Sequence, residues 1–270
     1  MPTFRQAPRR APGAQPVLLR APDGVRLSAT HLPSAADDRD LGVVLAHGFA
    51  GNHLAERHWR IARGLARHAG VLAFDFRGHG GSGGVSTVGD REILDVDAAV
   101  AALRERGYRD VVTCGWSMGG SVALRHAALH GGVEAVVSVS AVSRWYVKDT
   151  TPMRRLHWLI ERRAGRQVSR LFFRTRIADG WEDVPESPVE VVGRIAPIPL
   201  LLVHGDVDAY FGVEHPHALA AAAGEPCELW VVPGFGHAEG AATPELLDRI
   251  GTHLRVLVAQ GRRTPDSAVG

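Results

Sequence analysis

One serine lies in a pattern that could make it a nucleophile. Ser117 is the central residue of GWSMG, residues 115–119, which has the spacing G-x-S-x-G. In such an elbow the serine lies on a strained turn between a strand and a helix, and the glycines remove side chains that would collide there. An apolar run, 111–114, precedes the turn, and an alanine-rich stretch follows it. The pattern predicts Ser117 as nucleophile and the backbone N–H of Met118 as one donor to an oxyanion.

A serine hydroxyl needs a neighbouring base to remove its proton. His237 ends the sequence Gly-Phe-Gly-His directly after the last apolar run, where small residues let the loop bend. A third group must hold the imidazole in the right tautomer. The loop after residues 200–203 contains Asp206 and Asp208, and the sequence alone leaves both open. The chain order serine, aspartate, histidine fits a hydrolytic triad.

Continuous apolar runs predict the sheet that would position these residues, because strands buried on both faces lack alternation. Six such runs are found at 42–46, 70–76, 111–114, 133–139, 200–203 and 227–232. Two shorter runs, 17–19 and 25–27, flank an Asp-Gly turn and predict a β-hairpin. Helical stretches separate most of the runs, at 59–69, 91–106, 118–130 and 215–223. We therefore expect an α/β fold: a mostly parallel central sheet of about eight strands, helices on both faces and the hairpin at one edge.

The segment 144–195 interrupts this alternation. It has no buried-strand pattern, and Met153, Leu156 and Ile160 recur at helical spacing. We predict a helical cap, 144–195, inserted into a core formed by 17–143 and 196–258. A leader, 1–16, and a tail, 259–270, are expected to be flexible.

Five segments give the chain a resemblance to the α/β-hydrolase superfamily that extends over residues 17–257. They are HGF at 47–49, DFRGHGGS at 75–82, the elbow around Ser117, HGDVD at 204–208 and GH at 236–237. The resemblance implies that Asp208, not Asp206, orients His237, and that the N–H of Phe49 is the second oxyanion donor. It also implies that Asp75 and His79 belong to a structural turn rather than to the catalytic site.

The chemistry implied is hydrolysis of a carboxylic ester, or a related acyl bond, of a small molecule through an acyl-enzyme on Ser117, without a cofactor. The same triad could serve a carbon–carbon bond hydrolase, thioesterase, amidase, perhydrolase or acyltransferase, since the fold hosts all of these. A ligand-binding protein without turnover is a more distant alternative.

Composition excludes several other classes. Hydrophobic residues make up 45% and charged residues 22%, and the net charge is +2, so neither disorder nor nucleic-acid binding is predicted. The two cysteines and the absence of an apolar stretch after Arg9-Arg10 lead us to expect a cytoplasmic protein without stable membrane insertion. The paired histidines His53/His58 and His215/His217 lack further ligands, so no metal site is predicted. Oligomeric state is not predicted.

The cap is unusually basic. Ten lysines and arginines fall between Arg144 and Arg176. They could attract an anionic substrate, an acyl carrier or a membrane surface. Alternatively, their long side chains could form a solvated face that covers the aromatic residues beneath, which is the interpretation we favour from the sequence. Trp145, Trp158 and Phe172 could line an apolar pocket or pack the cap.

Overall fold

The computed structural model describes residues 13–36 and 38–263. Within them the apolar runs form one eight-stranded sheet, which confirms the predicted fold class. The strands are β1 (Gln15–Arg20), β2 (Arg26–Leu32), β3 (Leu41–Ala46), β4 (Gly70–Phe74), β5 (Asp110–Trp116), β6 (Ala135–Val139), β7 (Leu200–Gly205) and β8 (Cys227–Val232).

The sheet order is β1-β2-β4-β3-β5-β6-β7-β8. β1 and β2 form the antiparallel edge, and β2 pairs antiparallel with β4. All later pairings are parallel. The carboxyl ends of β3, β5, β7 and β8 therefore meet at one edge of the sheet, where α/β folds place their ligand sites.

Helices cover both faces of the sheet. The helices that the structure describes are α1 (Glu56–Leu65), α2 (Glu92–Glu105), α3 (Met118–Leu129), α4 (Thr151–Glu161), α5 (Arg163–Phe172), α6 (Pro188–Val191), α7 (Glu214–Ala222), α8 (Ala238–Ala241) and α9 (Pro244–Arg263). Of these, α4 and α5 pack on each other in the segment 144–195. The core on one face includes Val96 of α2, Val122 of α3 and Leu219 of α7. The core on the other face includes Ile61 of α1 and Ile250 of α9.

The predicted flexible ends need correction where the structure describes them. Gln15 and Pro16, assigned to the leader, pair with His31 and Thr30 in the edge hairpin. Residues 259–263, assigned to the tail, continue α9. The apolar stripe of α9 ends at Val258, but Gln260 and Arg262 beyond it bond to Glu228 and Asp110 and hold the end of the helix. The rest of both predicted segments, 1–12 and 264–270, lies outside the described residues.

The segment 144–195 contains α4, α5, α6 and a short 3₁₀ helix, Val192–Ile195. Its only link to sheet-like structure in the described part of the chain is an isolated bridge between Ile177 and Ser86. Next to it, Arg176 N–H donates to the carbonyl of Gly78 at 2.7 Å. These contacts join the end of α5 to the turn after β4.

Candidate active site

Ser117 lies on a strained turn between β5 and α3. Its φ of 54° and ψ of −119° lie in a region that residues with a Cβ seldom adopt, and the fold must hold it there. The flanking glycines allow the chain to pass. A Cβ on Gly115 would lie 2.1 Å from the Gly119 carbonyl oxygen, and one on Gly119 would lie 2.5 Å from the Ala46 carbonyl oxygen. No other residue type fits either position without displacing backbone.

His237 joins the serine to Asp208. Its Nδ1 lies 2.7 Å from Oδ2 of Asp208, and its Nε2 lies 2.9 Å from Oγ of Ser117. A carboxylate only accepts hydrogen bonds, so Nδ1 carries the ring proton and Nε2 is free to accept from the serine hydroxyl. This is the tautomer that a general base needs.

Asp208 is held as a carboxylate. Its side chain has no exposed surface, and burial acts to raise its pKa. The hydrogen bond and charge of His237, with the N–H groups of Tyr210 and Phe211 on Oδ1, outweigh burial and lower that pKa. The alternative acid, Asp206, instead accepts the N–H of Gly234 at 2.7 Å, which makes it a turn residue.

The imidazole is also held by contacts that the sequence did not indicate. The Tyr210 ring stacks on it with centroids 4.3 Å apart, and Phe211 meets it edge-on at 5.4 Å. The following residue, Ala238, donates its N–H to Oγ of Ser140 at 3.1 Å. Together these contacts restrict the ring to one orientation between Asp208 and Ser117.

The two expected oxyanion donors belong to residues that share a cavity with Ser117. Phe49 follows β3 and Met118 begins α3, and both line the same cavity as the serine. The loop before Phe49 is fixed by Glu239, two residues after His237, whose Oε1 accepts the N–H of Gly48 at 2.6 Å. The Glu239 side chain is 18% exposed, so this charged hydrogen bond forms largely out of water and is strong.

Glu239 should therefore act as a positioning residue. We expect Glu239→Ala to lower kcat roughly tenfold, less than the ~10²–10³ that loss of a whole oxyanion donor costs, because the Phe49 amide is displaced rather than removed. KM should change little. Steady-state kinetics should also show that Glu239→Gln, which keeps an acceptor oxygen, recovers most of the rate. Equal rates for the alanine variant and the native enzyme would contradict this role.

His47 supports the same loop from the core. Its Nδ1 donates to the Gly48 carbonyl at 2.7 Å and its Nε2 accepts the N–H of Phe76 at 3.1 Å. Burial, with the neighbouring His79 and His58, lowers the pKa of His47 to about 3. The imidazole is thus neutral throughout the physiological range.

This buried histidine should make folding stability depend on pH. In the unfolded chain it titrates near ~6.5, so between that pH and about 3 the unfolded state binds a proton that the native state does not. Stability should fall as the pH is lowered through this window, by up to about 1.4 kcal/mol per pH unit. Urea unfolding should show a shallower pH dependence for His47→Gln, which can replace both hydrogen bonds. An unchanged slope would contradict the assignment.

The turn that contains Asp75 and His79 is committed to structure. Asp75 accepts the N–H and Nδ1–H of His53 at 2.6 and 2.7 Å and the N–H of Gly81 at 2.8 Å. His79 contacts the Arg77 carbonyl and the N–H of Ala50. The bond to Ala50 holds the loop directly after Phe49. Neither Asp75 nor His79 is among the residues that line the serine cavity.

The cavity beside Ser117 has a volume of about 250 Å³ and is mostly apolar. The cap supplies one wall through α4, with Met153, Leu156 and Ile160. Trp145 and Trp181 pack with centroids 5.5 Å apart in the same lining. Trp158 and Phe172 are instead exposed, so of the three cap aromatics considered from the sequence only Trp145 lines the pocket.

A group of potential metal ligands lies away from this site. His126 Nε2 and His130 Nδ1 each lie within 2.8 Å of the Asp97 carboxylate, and the three ligand atoms could face one ion. The two histidines are one turn apart near the C-terminal end of α3, roughly 13–20 Å along the helix from Ser117 at ~1.5 Å per residue.

The histidine pairs considered from the sequence make other contacts. His53 is bonded to Asp75, and His215 is bonded to Ser143.

No helix in the described ranges combines the length and the apolarity needed to cross a bilayer.

Comparison with known proteins agrees with the fold described above. The α/β hydrolase fold model matches residues 43–179. YfhR of Escherichia coli O157:H7, an uncharacterised protein, is 28% identical over 234 residues, which cover 83% of this chain and 73% of YfhR. Rv2307c of Mycobacterium tuberculosis, also uncharacterised, is 28% identical over 255 residues, which cover 88% of this chain and 75% of Rv2307c.

Among solved structures, the Pyrococcus furiosus esterase Pf2001 superposes with a TM-score of 0.71 at 26% identity, covering 90% of this chain and 91% of the esterase. The family match spans the loop that contains Phe49, the turn at Ser117 and most of the segment 144–195. This chain belongs to the α/β hydrolase fold family and is a hydrolase.

Proposed function

We propose that the protein is a serine esterase that cleaves a carboxylic ester of a small molecule through an acyl-enzyme on Ser117. The observation that carries the proposal is the continuous hydrogen-bonded line from Asp208 through His237 to the serine hydroxyl, at 2.7 and 2.9 Å. The structural likeness to an esterase supports it.

Acylation begins when His237 Nε2 removes the proton of Ser117 as Oγ attacks the ester carbonyl. The carbonyl oxygen becomes negative and accepts hydrogen bonds from the N–H groups of Met118 and Phe49. The C–O bond then breaks, and His237 returns the proton to the departing alcohol. Asp208 stabilises the imidazolium that exists between these two transfers.

Deacylation repeats these steps with water. His237 removes a proton from water as its oxygen attacks the acyl carbonyl, and the same two N–H groups stabilise the second oxyanion. Collapse breaks the bond to Oγ, the proton returns to Ser117, and the carboxylic acid is released. In both half-reactions His237 takes up one proton and then gives one back, so the enzyme ends each cycle in its starting protonation state.

The apolar cavity indicates that the acyl group, rather than a charged group, fills the space beside Ser117. A p-nitrophenyl ester series of increasing acyl length tests this. Each methylene that enters the cavity is worth about 0.8 kcal/mol, or roughly a fourfold gain in kcat/KM, until the cavity is full. Leu156→Trp, which narrows the cavity, should shorten the preferred chain, whereas the exposed Leu171→Trp should not. If kcat/KM is independent of acyl chain length in both the native protein and Leu156→Trp, this placement of the acyl group is contradicted.

A further inference from the structure

Three adjacent large apolar side chains face solvent at the end of α5. Leu171 is 73% exposed, Phe172 63% and Phe173 39%. The residues on either side, Arg170 and Arg174, are also exposed. Contiguous exposed apolar residues are uncommon on soluble proteins and mark contact with another apolar surface.

This segment is held in place rather than loose. The N–H groups of Phe173 and Thr175 both donate to the Ser169 carbonyl, at 3.0 and 3.1 Å. Arg176, directly after it, is bonded to Gly78 at 2.7 Å. The apolar residues are therefore presented from a fixed helix end.

The neighbouring helix adds a fourth apolar side chain. Trp158 of α4 is 47% exposed. α4 and α5 pack closely enough that a Cβ on Gly165 would lie 2.2 Å from the Trp158 carbonyl oxygen. The two helices thus form one rigid corner of the cap.

Exposed arginines lie near these apolar residues in the chain, on α4, on α5 or directly beside these helices. Arg155, Arg162, Arg163, Arg170 and Arg174 are all exposed. None of the five forms an ion pair with any residue that the structure describes. We call these five arginines, with Trp158, Leu171, Phe172 and Phe173, the cap surface.

Neither a solvated face nor a symmetric contact between two copies matches the cap surface well. In a solvated face the arginines would cover the aromatic residues and leave them buried, but Trp158 and Phe172 are exposed. In a symmetric pair of copies, each copy contributes the same patch, so the arginine-rich surfaces would repel each other. A partner that has negative charges for the arginines and an apolar layer for Trp158, Leu171, Phe172 and Phe173 would match the whole cap surface.

We propose that the cap surface docks on an anionic lipid surface. Leu171 and Phe172 would enter the boundary between headgroups and acyl chains, as the apolar faces of interfacial helices do. The arginines would lie at the level of the lipid phosphates, which attract basic residues within a Debye length. Because the other side of α4 lines the serine cavity, docking places the cap between lipid and active site. The proposal does not depend on the esterase function.

Vesicle sedimentation tests this proposal. Full-length protein carrying Ser117→Ala, which cannot degrade lipid, is mixed with vesicles of phosphatidylcholine alone or with an equal part of phosphatidylglycerol. We expect at least roughly tenfold stronger partition onto the anionic vesicles, weakening as salt is raised. Equal partition onto both compositions, or none onto either, would overturn the proposal.

Matched variants separate the two contributions. The pairs Leu171→Ser with Phe172→Ser and Arg163→Glu with Arg170→Glu should each lower anionic partition about tenfold. The exposed controls Val256→Ser on α9 and Arg63→Glu on α1 should change it less than about twofold. Circular dichroism checks that all variants fold. If the native chain instead sediments as a dimer that the Leu171/Phe172 pair dissociates, without vesicle binding, the occupant is a second copy and the proposal is wrong.

Discussion

Replacing Ser117 by alanine should reduce ester turnover by roughly 10⁴–10⁶-fold, the range seen when a triad serine is removed. The change deletes the atom that forms the acyl-enzyme, while the cavity, the oxyanion N–H groups and His237 remain. Substrate binding should therefore change little. The measurement is kcat on a p-nitrophenyl ester, with purified protein free of host esterases.

The control for this prediction is a second serine in the same cavity. Ser86 lines the pocket, but its hydroxyl donates to Glu92 at 2.8 Å, so it is not poised for attack. Ser86→Ala should retain activity within about tenfold, as a lost hydrogen bond of ordinary strength would allow. Turnover that survives Ser117→Ala would mean that another group is the nucleophile.

Replacing Asp208 by asparagine should reduce kcat by about 10⁴-fold. The side chain keeps its shape, and its oxygen can still accept the N–H groups of Tyr210 and Phe211, so the loop should remain folded. The amide would face Nδ1 of His237 as a donor and favour the tautomer with the proton on Nε2. In that tautomer the imidazole cannot accept the proton of Ser117.

Asp206→Asn is the matched control, because it is two residues away in the same loop and its oxygen can still accept the N–H of Gly234. We expect its kcat to stay within about twofold of the native value, as for surface substitutions with little energetic effect. Equal losses in both variants would indicate a general effect of the loop. A larger loss in Asp206→Asn than in Asp208→Asn would mean that Asp206, and not Asp208, is the acid.

Most of the sheet could be predicted from the sequence because its central strands are nearly continuous apolar runs, whereas the edge strand β8 contains Glu228 and is only half-buried. The order of the strands could not be predicted in this way. β4 lies between β2 and β3, and hydrophobicity alone does not tell a strand which partner it will meet. The boundaries at Gln15 and Arg263 were also missed, since exposed ends of strands and helices carry no burial pattern.

The turn at Ser117 was the most predictable part of the site, because only glycine fits at 115 and 119 without a collision with nearby backbone. Glu239 was not predicted, although it lies two residues from His237. Its partner, Gly48, is 191 residues away in the chain, and a glutamate near a loop is usually a solvated surface residue. The contact between Tyr210 and His237 could not be predicted either, because it depends on how two loops that are distant in the sequence pack together.

The cap shows the limit of helical periodicity. Met153, Leu156 and Ile160 have the spacing of a buried stripe, and they do line the cavity. Trp158 and Phe172 were expected to pack inside the cap or its pocket, because large apolar residues are usually buried. Both are exposed instead, because the side of each helix that faces outward depends on how the helices pack, which the sequence does not reveal.

The most direct test of the account is labelling with a fluorophosphonate probe, followed by peptide mapping. An activated serine oxygen attacks phosphorus, fluoride departs, and the histidine takes up the proton. We predict one adduct, on Ser117, that is absent in His237→Ala. A label on another serine, or ester hydrolysis by a folded protein that the probe does not label, would contradict the assignment of Ser117 as the nucleophile.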